Sequence, residues 1–264
     1  MVAVSPLQNG EEFPAETYVT ASKKWLGQSI IVYPSLLKVI GDRVNGKDII
    51  DIGCGGGKFV QELIKLGANK IVGIDSNGEM IKSCRNNYNY TKDVIFREES
   101  SLDLSEESTY DFAFAIFVLH FNNNVAELRK SLINIARSLK PGGEFIAFVP
   151  NGVGDYNPTA MLGKMLGATV VLNTVPPIDG ERLKIEFYNP EGEVIGETDM
   201  TFFYRSTYEH CLKDAGFVDI EWIDPIISEE GITKYGPEFF SPFFNPPKDI
   251  IFRARIPEET NSNL

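Results

Sequence analysis

A glycine cluster directly after a short apolar run constrains this chain more than any other feature. Residues 49–59 read IIDIGCGGGKF, and residues 71–75 read IVGID. An apolar run that ends in glycines and opens into an amphipathic segment predicts a strand, a tight turn and a helix, the first crossover of a parallel α/β sheet. Because glycine adopts positive φ and has no Cβ, its backbone can lie directly against a ligand. The turn is therefore predicted to bind one.

Two common nucleotide-binding motifs do not match the spacing of this turn. A dinucleotide fingerprint, G-x-G-x-x-G/A, that starts at Gly53 requires a small residue where the chain has Lys58. A P-loop, G-x-x-x-x-G-K-[ST], requires a hydroxyl for magnesium where the chain has Phe59. The spacing weakens the first interpretation and contradicts the second. What remains is D-x-G-x-G-x-G over residues 51–57, followed by Asp75 at the end of the next predicted strand.

The length of the chain limits the number of domains, and its net charge limits the kinds of substrate that it can bind. With 264 residues and 43% hydrophobic content, the chain can form one α/β domain over 1–264 with room for an inserted subdomain. The net charge of −12 disfavours phosphate backbones, and no run of Lys and Arg interleaved with aromatic residues offsets it. Nucleic acid is therefore not expected as a substrate.

The remaining compositional signals concern location and metals. Residues 1–14 lack a basic segment followed by an apolar core, and no apolar stretch approaches the ~20 residues of a bilayer span. The expected location is cytoplasmic, without membrane association. Cys54, Cys84 and Cys211 form no C-x-x-C pair, which favours reduced thiols over a zinc site. With two histidines in the whole chain, no metal is predicted.

Hydrophobic periodicity predicts the order of elements. Residues 15–45 should form an N-terminal helical cap, and strands alternate with helices from residue 48 to residue 149. Two further strands are expected at 217–223 and 249–256. The alternation predicts an α/β fold with a mostly parallel sheet and helices on both faces.

An insert is predicted over residues 151–205. A short apolar stretch, Met161 to Leu172, suggests a helix, and alternation on both sides of residues 189–192 indicates a β-hairpin. Open α/β sheets bind ligands at the carboxyl edge of their strands. The insert is therefore expected to cover a substrate at that edge.

The D-x-G-x-G-x-G pattern and the later Asp75 resemble motif I and the following acidic motif of class I S-adenosylmethionine (SAM) dependent methyltransferases. The V-L-H segment at 118–120 and the K-P-G-G turn at 140–143 are also similar to that family. The resemblance implies a Rossmann-like seven-stranded sheet, mostly parallel with an antiparallel last strand. It implies that SAM is the cofactor, with the glycine turn beside its amino-acid moiety. It also implies that Asp75 accepts hydrogen bonds from both ribose hydroxyls, a role that an acceptor-only carboxylate suits. The implied cofactor contacts are Tyr18, Asp51, Gly53, Cys54, Gly55, Gly57, Asp75, Ser76, Met80, Ser100, Ser101, Leu102 and Ile116.

Three of these contacts have alternatives. Met80 either contacts adenine or belongs to the buried face of its helix. Tyr18, like Trp25, either reaches the cofactor or packs in a helix interface. Ser100 stands where many family members have an aspartate for the adenine amino group, which weakens that side-chain contact.

The last third of the chain is similar to a narrower group. Residues 207–217 and 224–247 resemble the C-terminal half of the toxoflavin-methyltransferase-like small-molecule methyltransferases. The resemblance implies a planar heteroaromatic acceptor that is methylated on nitrogen or oxygen. Acceptor contacts are predicted from residues placed around the carboxyl edge, some of which could instead be core. These residues are Trp25, Tyr33, Asn151, Tyr156, Tyr188, Phe202 and Tyr204.

The predicted reaction is in-line transfer of a sulfonium methyl, which needs positioning and at most one proton acceptor. His120, just past the fourth strand, is the candidate for that acceptor, because imidazole titrates near neutrality. The alternative is a loop or helix-cap residue that contacts backbone. The expected assembly is a monomer or a homodimer. Two other functions stay open, a SAM-binding regulator without turnover and a nicotinamide-dependent oxidoreductase.

Overall fold

The computed structural model describes residues 18, 21–22, 25–88, 93–151 and 166–259. Its centre is a seven-stranded sheet with the order β3-β2-β1-β4-β5-β10-β9. Strands β1 to β5 pair in parallel, whereas β10 is antiparallel to β5 and β9. The predicted Rossmann-like fold with an antiparallel last strand is confirmed. The strands are Asp48–Ile52 (β1), Lys70–Asp75 (β2), Val94–Glu98 (β3), Tyr110–Ile116 (β4), Leu139–Pro150 (β5), Val218–Ile223 (β9) and Asp249–Arg255 (β10).

Helices cover both faces of this sheet. The first follows a π-helical turn at Gln28–Val32, and short 3₁₀ turns occur at Leu119–Phe121 and Pro237–Phe240. The helices are Tyr33–Ile40 (α1), Lys58–Lys65 (α2), Gly78–Asn87 (α3), Val125–Ser138 (α4), Arg205–Asp214 (α5), Glu229–Tyr235 (α6) and Ser241–Phe244 (α7). Among the described residues, no helix combines the length and the apolar character that a bilayer crossing requires.

Strict alternation along the central strands divides the core into two layers. Ile49 and Phe114 pack with Leu63 of α2, whereas Ile50 and Ala113 pack on the other face with residues of α4. All five of these side chains are fully buried. Successive strand residues point to opposite faces, so a strand covered on both sides must be apolar throughout. This explains why β1 and β4 are nearly continuous apolar runs in the sequence.

A second, three-stranded antiparallel sheet has the order β6-β7-β8. Its strands are Ala168–Val171 (β6), Glu181–Tyr188 (β7) and Val194–Phe202 (β8). The hairpin was predicted, but β6 was not. The helix expected from Met161 to Leu172 is wrong at 168–171, where each residue pairs with β7; residues 161–165 lie outside the described part. The apolar stretch forms a strand because β7 offers it a paired edge.

The connectivity fixes where a ligand can bind. From β1 the chain continues outward to β2 and β3, and then returns to the other side of β1 to form β4 and β5. The switch point between β1 and β4 leaves a crevice at the carboxyl ends of these strands. The glycine turn after β1 lies at this crevice.

Candidate functional site

The glycine turn follows β1 and has two positions with different constraints. Gly53 has φ +64°, and a Cβ built on it would lie 2.3 Å from Cγ2 of Val118. Gly55 has φ +52°, but a Cβ there would meet no atom of the described residues within 4 Å. Gly53 is therefore required by packing against the segment after β4. At Gly55 the space that a side chain would occupy is part of the crevice.

Asp75 ends β2 and is tied to the glycine turn. Its Oδ2 accepts the Gly55 N–H at 2.9 Å, and its Oδ1 accepts the Asn77 N–H at 2.9 Å. Burial raises the pKa of the Asp75 carboxyl, and these two backbone N–H groups partly offset that rise. A carboxylate has about four acceptor positions, so each oxygen keeps capacity for one more donor.

Asp51 is the penultimate residue of β1 and lines the same crevice. It is 2% exposed, and within the described part of the chain its Oδ2 has no hydrogen-bond partner. Burial raises the pKa of Asp51 to about 8, with a further contribution from the charge of Asp75. A buried carboxylate oxygen without a donor is costly, and a ligand with an N–H group would relieve that cost.

A cleft of about 1140 Å³ opens at this edge of the sheet. The residues that line it include every predicted cofactor contact except Gly57. Gly57 instead begins helix α2, and its carbonyl accepts the hydroxyl of Tyr88 at 2.9 Å. The predicted residues in the lining are Tyr18, Asp51, Gly53, Cys54, Gly55, Asp75, Ser76, Met80, Ser100, Ser101, Leu102 and Ile116.

Most of the predicted acceptor contacts lie elsewhere. Tyr33 lines the cleft, and Tyr156 lies outside the described residues. Trp25 is 7% exposed, stacks on Phe187 with centroids 6.1 Å apart and donates from Nε1 to the carbonyl of Tyr188 at 2.8 Å. These aromatic rings fill the core between the N-terminal segment and the small sheet, rather than the cleft.

The other four predicted acceptor contacts are also held by protein groups outside the cleft lining. Tyr188 is buried, and its hydroxyl donates to the Glu186 carboxylate. Asn151 is fully buried, donates to the Pro247 carbonyl and accepts from Arg205 Nε at 2.7 Å. Phe202 is fully buried on the apolar face of the small sheet. The hydroxyl of Tyr204 donates to the Pro177 carbonyl at 2.9 Å. Contact of these side chains with an acceptor therefore stays a prediction.

His120 lies in the 3₁₀ turn after β4 and is 2% exposed. Its ring packs against Phe121, with centroids 4.4 Å apart, and against Phe117 at 6.3 Å. Within the described residues its Nδ1 has no partner, and burial lowers the pKa of His120 to about 3. The imidazole is therefore neutral at pH 7, and it lies outside the cleft lining.

One charged part of the cleft lining, called the wall below, was not predicted from the sequence. Arg182, Lys184, Glu197 and Asp199 line the cleft from strands β7 and β8, where Lys184 is directly paired with Asp199. Polar residues at 182 and 184 alternate with apolar residues at 183 and 185, which was the available signal. The apolar face packs on the N-terminal segment, so the polar face must turn to the cleft.

Comparisons with known proteins agree with this geometry. A family model described as a methyltransferase domain matches residues 49–143. O-methyltransferase rstn1 from Aspergillus nomiae is 31% identical over 175 residues, which cover 62% of this chain and 74% of that protein. The ubiquinone biosynthesis O-methyltransferase of Sodalis glossinidius is 28% identical over 159 residues, and the match covers 59% of each protein. The chain thus spans only about three fifths of that enzyme's length.

Solved structures share the fold. An S-adenosylmethionine-dependent methyltransferase from Mesorhizobium loti superposes with a TM-score of 0.60 at 20% identity, covering 84% of this chain and 96% of that one. The glycine turn, the acidic residue that ends β2 and the strand order define an α/β protein of the methyltransferase class. The chain belongs to the class I SAM-dependent methyltransferases.

Proposed function

We propose that the chain binds SAM in this cleft and transfers its methyl group to a nitrogen or oxygen of a small molecule. The observation that carries the proposal is the meeting of Asp75, Asp51 and the glycine turn in one cleft at the switch point of the sheet. Among the described residues, each group has unused capacity: acceptor positions on Asp75, an Oδ2 on Asp51 without a hydrogen-bond partner, and open space at Gly55. These features fit a ligand with hydroxyl and ammonium donors.

Different cleft residues would bind the ribose, the adenine and the amino-acid end of the cofactor. Asp75 would accept from the ribose hydroxyls, and Ser100 to Leu102 and Met80 would surround the adenine. Ser100 Oγ already accepts the Leu102 N–H at 3.2 Å, so its hydroxyl keeps one donor and one acceptor position for the adenine. Asp51 and the glycine turn would hold the amino-acid end. When bound, SAM supplies a methyl group activated by the sulfonium charge.

The chain's own contribution is positioning and exclusion of water. In-line displacement from an activated donor depends mainly on the alignment of the acceptor. Tyr33, Phe117 and Phe121 form the part of the cleft lining in which an acceptor ring could lie. A role for His120 as proton acceptor stays a prediction, because its neutral, buried imidazole would first have to turn toward the cleft. The acceptor is proposed to be a small molecule because the net charge of −12 disfavours nucleic acid.

Titration calorimetry with SAM and with NADH, followed by incubation with labelled SAM, tests the proposal. SAM binding with label transferred to added phenols or heteroaromatic amines is the expected result. Tight SAM binding without transfer to any acceptor, including cell extract, would instead favour a regulator. Binding of NADH but not of SAM would favour an oxidoreductase.

The Asp75→Ala variant should bind SAM about 5 to 150 times more weakly, a loss on the order of 1–3 kcal/mol, because ribose hydroxyls would lose their acceptor. Asp75→Asn, which keeps one oxygen, should lie between wild type and alanine. Asp103→Ala is the matched control, since Asp103 is exposed and lies outside the cleft lining. Equal Kd values for all variants would contradict the ribose assignment.

A further inference from the structure

The half of the cleft that the proposed cofactor does not use has an aromatic part and a charged part. Phe117 and Phe121 line it from the segment after β4, and Arg182 lines it from the small sheet. This combination differs from the predicted acceptor site, which contained aromatic residues and Asn151 but no charged residue. The charged part therefore bears on the charge of the acceptor, which the sequence did not predict.

Phe117 has a backbone conformation that suggests a functional constraint. Its φ is +56°, in the left-handed region that a bulky residue rarely adopts. The conformation is held by its N–H, which donates to the Phe148 carbonyl at 2.8 Å, and by ring contact with Phe148 at 5.0 Å. Strained conformations of this kind occur preferentially at ligand sites. Phe121, four residues later in the same segment, is 37% exposed.

Arg182 is fixed beside this segment by a chain of hydrogen bonds. Its Nη1 donates to Thr201 Oγ1 at 2.9 Å, and the Thr201 hydroxyl donates to the Asn122 carbonyl at 2.7 Å. Thr201 is fully buried and Asn122 is 7% exposed, so a buried polar pair anchors the guanidinium next to Phe121. The arginine is thus held in place before any ligand binds.

The two ion pairs on the wall differ in length, and the difference indicates which cation a ligand can reach. Lys184 Nζ lies 2.7 Å from Glu197 Oε1, whereas Arg182 Nη2 lies 3.7 Å from Asp199 Oδ2, and the Asp199 side chain is 63% exposed. A long, exposed ion pair contributes little and exchanges easily. Arg182 has five N–H donors in a planar fork that suits a carboxylate. Lys184 is already neutralised by its neighbour.

We propose that the methyl acceptor is a small aromatic acid, whose ring lies against Phe117 and Phe121 and whose anionic group is bound by Arg182. This inference rests on the proposed methyl transfer. It narrows the acceptor from any planar molecule to one that carries a carboxylate or an equivalent anion. Thr201 is then a positioning residue, because it acts through Arg182.

A matched series of probes tests the charge of the acceptor. The catechols 3,4-dihydroxybenzoate, 3,4-dihydroxybenzamide and 3,4-dihydroxybenzylamine carry an anion, a neutral group and a cation on the same ring, and nicotinate with nicotinamide provides a ring-nitrogen pair. The full-length chain is incubated with each compound and labelled SAM, and binding is measured with S-adenosylhomocysteine present. We expect the acid of at least one pair to have a kcat/KM on the order of 10 to 100 times that of its amide, the range for a charge-assisted hydrogen bond.

Variants then locate the preference. Arg182→Met should abolish the preference for acid over amide by raising KM for the acid, with SAM affinity retained. Arg182→Lys should restore part of it. Lys184→Met, which removes the same charge from the same strand face, should change the preference much less. Thr201→Val should produce an intermediate rise in KM for the acid, with kcat unchanged.

Several results would overturn the inference. These are equal use of acid and amide, a preference for the amine that Asp199→Asn removes, an acid preference unchanged in Arg182→Met, or no binding of either acid by a chain that binds SAM. In each case SAM binding, and transfer to any other acceptor, would leave the proposed function standing. Absence of SAM binding in the wild-type chain would instead reject the proposed function itself.

Discussion

An Asp51→Asn variant should be more stable than the wild-type chain at pH 9 and should bind SAM more weakly. The Asp51 carboxyl is buried, its Oδ2 has no partner among the described residues, and its pKa is raised from 3.8 to about 8. Between these pH values the folded chain holds a proton that the unfolded chain has lost. This group therefore lowers the free energy of unfolding progressively as the pH rises from 4 to 8, and the full cost is present above pH 8.

The expected gain for Asp51→Asn at pH 9 is about 2–4 kcal/mol. The shift of roughly four pKa units sets the upper limit of this gain in the free energy of unfolding. The buried amide that Asp51→Asn introduces would itself lack some hydrogen-bond partners, and this cost makes the gain smaller. At pH 5 the two chains should differ much less. Urea unfolding at both pH values measures the difference, and calorimetry in buffers of different ionisation enthalpy should show proton release when SAM binds to the wild type.

Asp48→Asn is the matched control, because it makes the same change in the same strand. The pKa of Asp48 is lowered, mainly by the hydrogen bond from Asn69 Nδ2 and also by Lys140. Asp48 therefore stabilises the fold above its unfolded pKa, and its replacement should lower stability slightly at pH 9. If Asp51→Asn and wild type showed the same dependence of stability on pH, Asp51 would be an ordinary ionised carboxylate.

Gly53→Ala should lower the free energy of unfolding by about 2–4 kcal/mol. The new Cβ would lie 2.3 Å from Cγ2 of Val118, and the residue would keep a φ of +64°. The cost combines overpacking with a left-handed conformation that an L-residue resists. Chemical unfolding measures the loss, and SAM affinity should fall with it because the turn must shift.

Alanine variants at two further glycines separate the cost of overpacking from the cost of the left-handed conformation. Gly41→Ala has a similar φ of +60° and no atom within 4 Å of the new Cβ, so it should cost only about 1 kcal/mol. Gly55→Ala has the same low steric cost in the protein but should weaken SAM binding, since its Cβ would enter the cleft. The double variant Gly53→Ala/Val118→Ala should recover stability. A Gly53→Ala chain as stable as Gly41→Ala would rule out the clash.

The cofactor half of the cleft was predictable because its determinants are local. The residues from Asp51 to Gly57 form one strand and turn, and Asp75 ends the next strand in sequence. In a parallel sheet the carboxyl ends of neighbouring strands meet at one edge, so local patterns are enough to bring these groups together. The antiparallel last strand was predicted from the family resemblance, and the structure confirms it.

The acceptor half depended on long-range contacts that sequence patterns do not encode. Alternation in β7 predicted an apolar and a polar face but not which of them lines the cleft. The polar face lines it because Trp25 packs against the apolar face. The apolar stretch before β7 is compatible with helix or strand, and pairing with β7 decided in favour of β6. For His120, position after β4 was correct, yet the turn at Leu119–Phe121 directs its ring into the core.

The Trp25 indole has a consequence for engineering. It joins the N-terminal segment, which reaches the cleft through Tyr18 and Ser22, to the back of the sheet that carries Arg182. A graft of residues 181–202 from another enzyme, intended to change acceptor range, would therefore also disturb cofactor affinity unless Leu183, Ile185 and Phe187 were retained. Libraries limited to positions 182, 184, 197 and 199 leave the packing of Trp25 against the small sheet unchanged. They should therefore change the acceptor range with less effect on cofactor affinity.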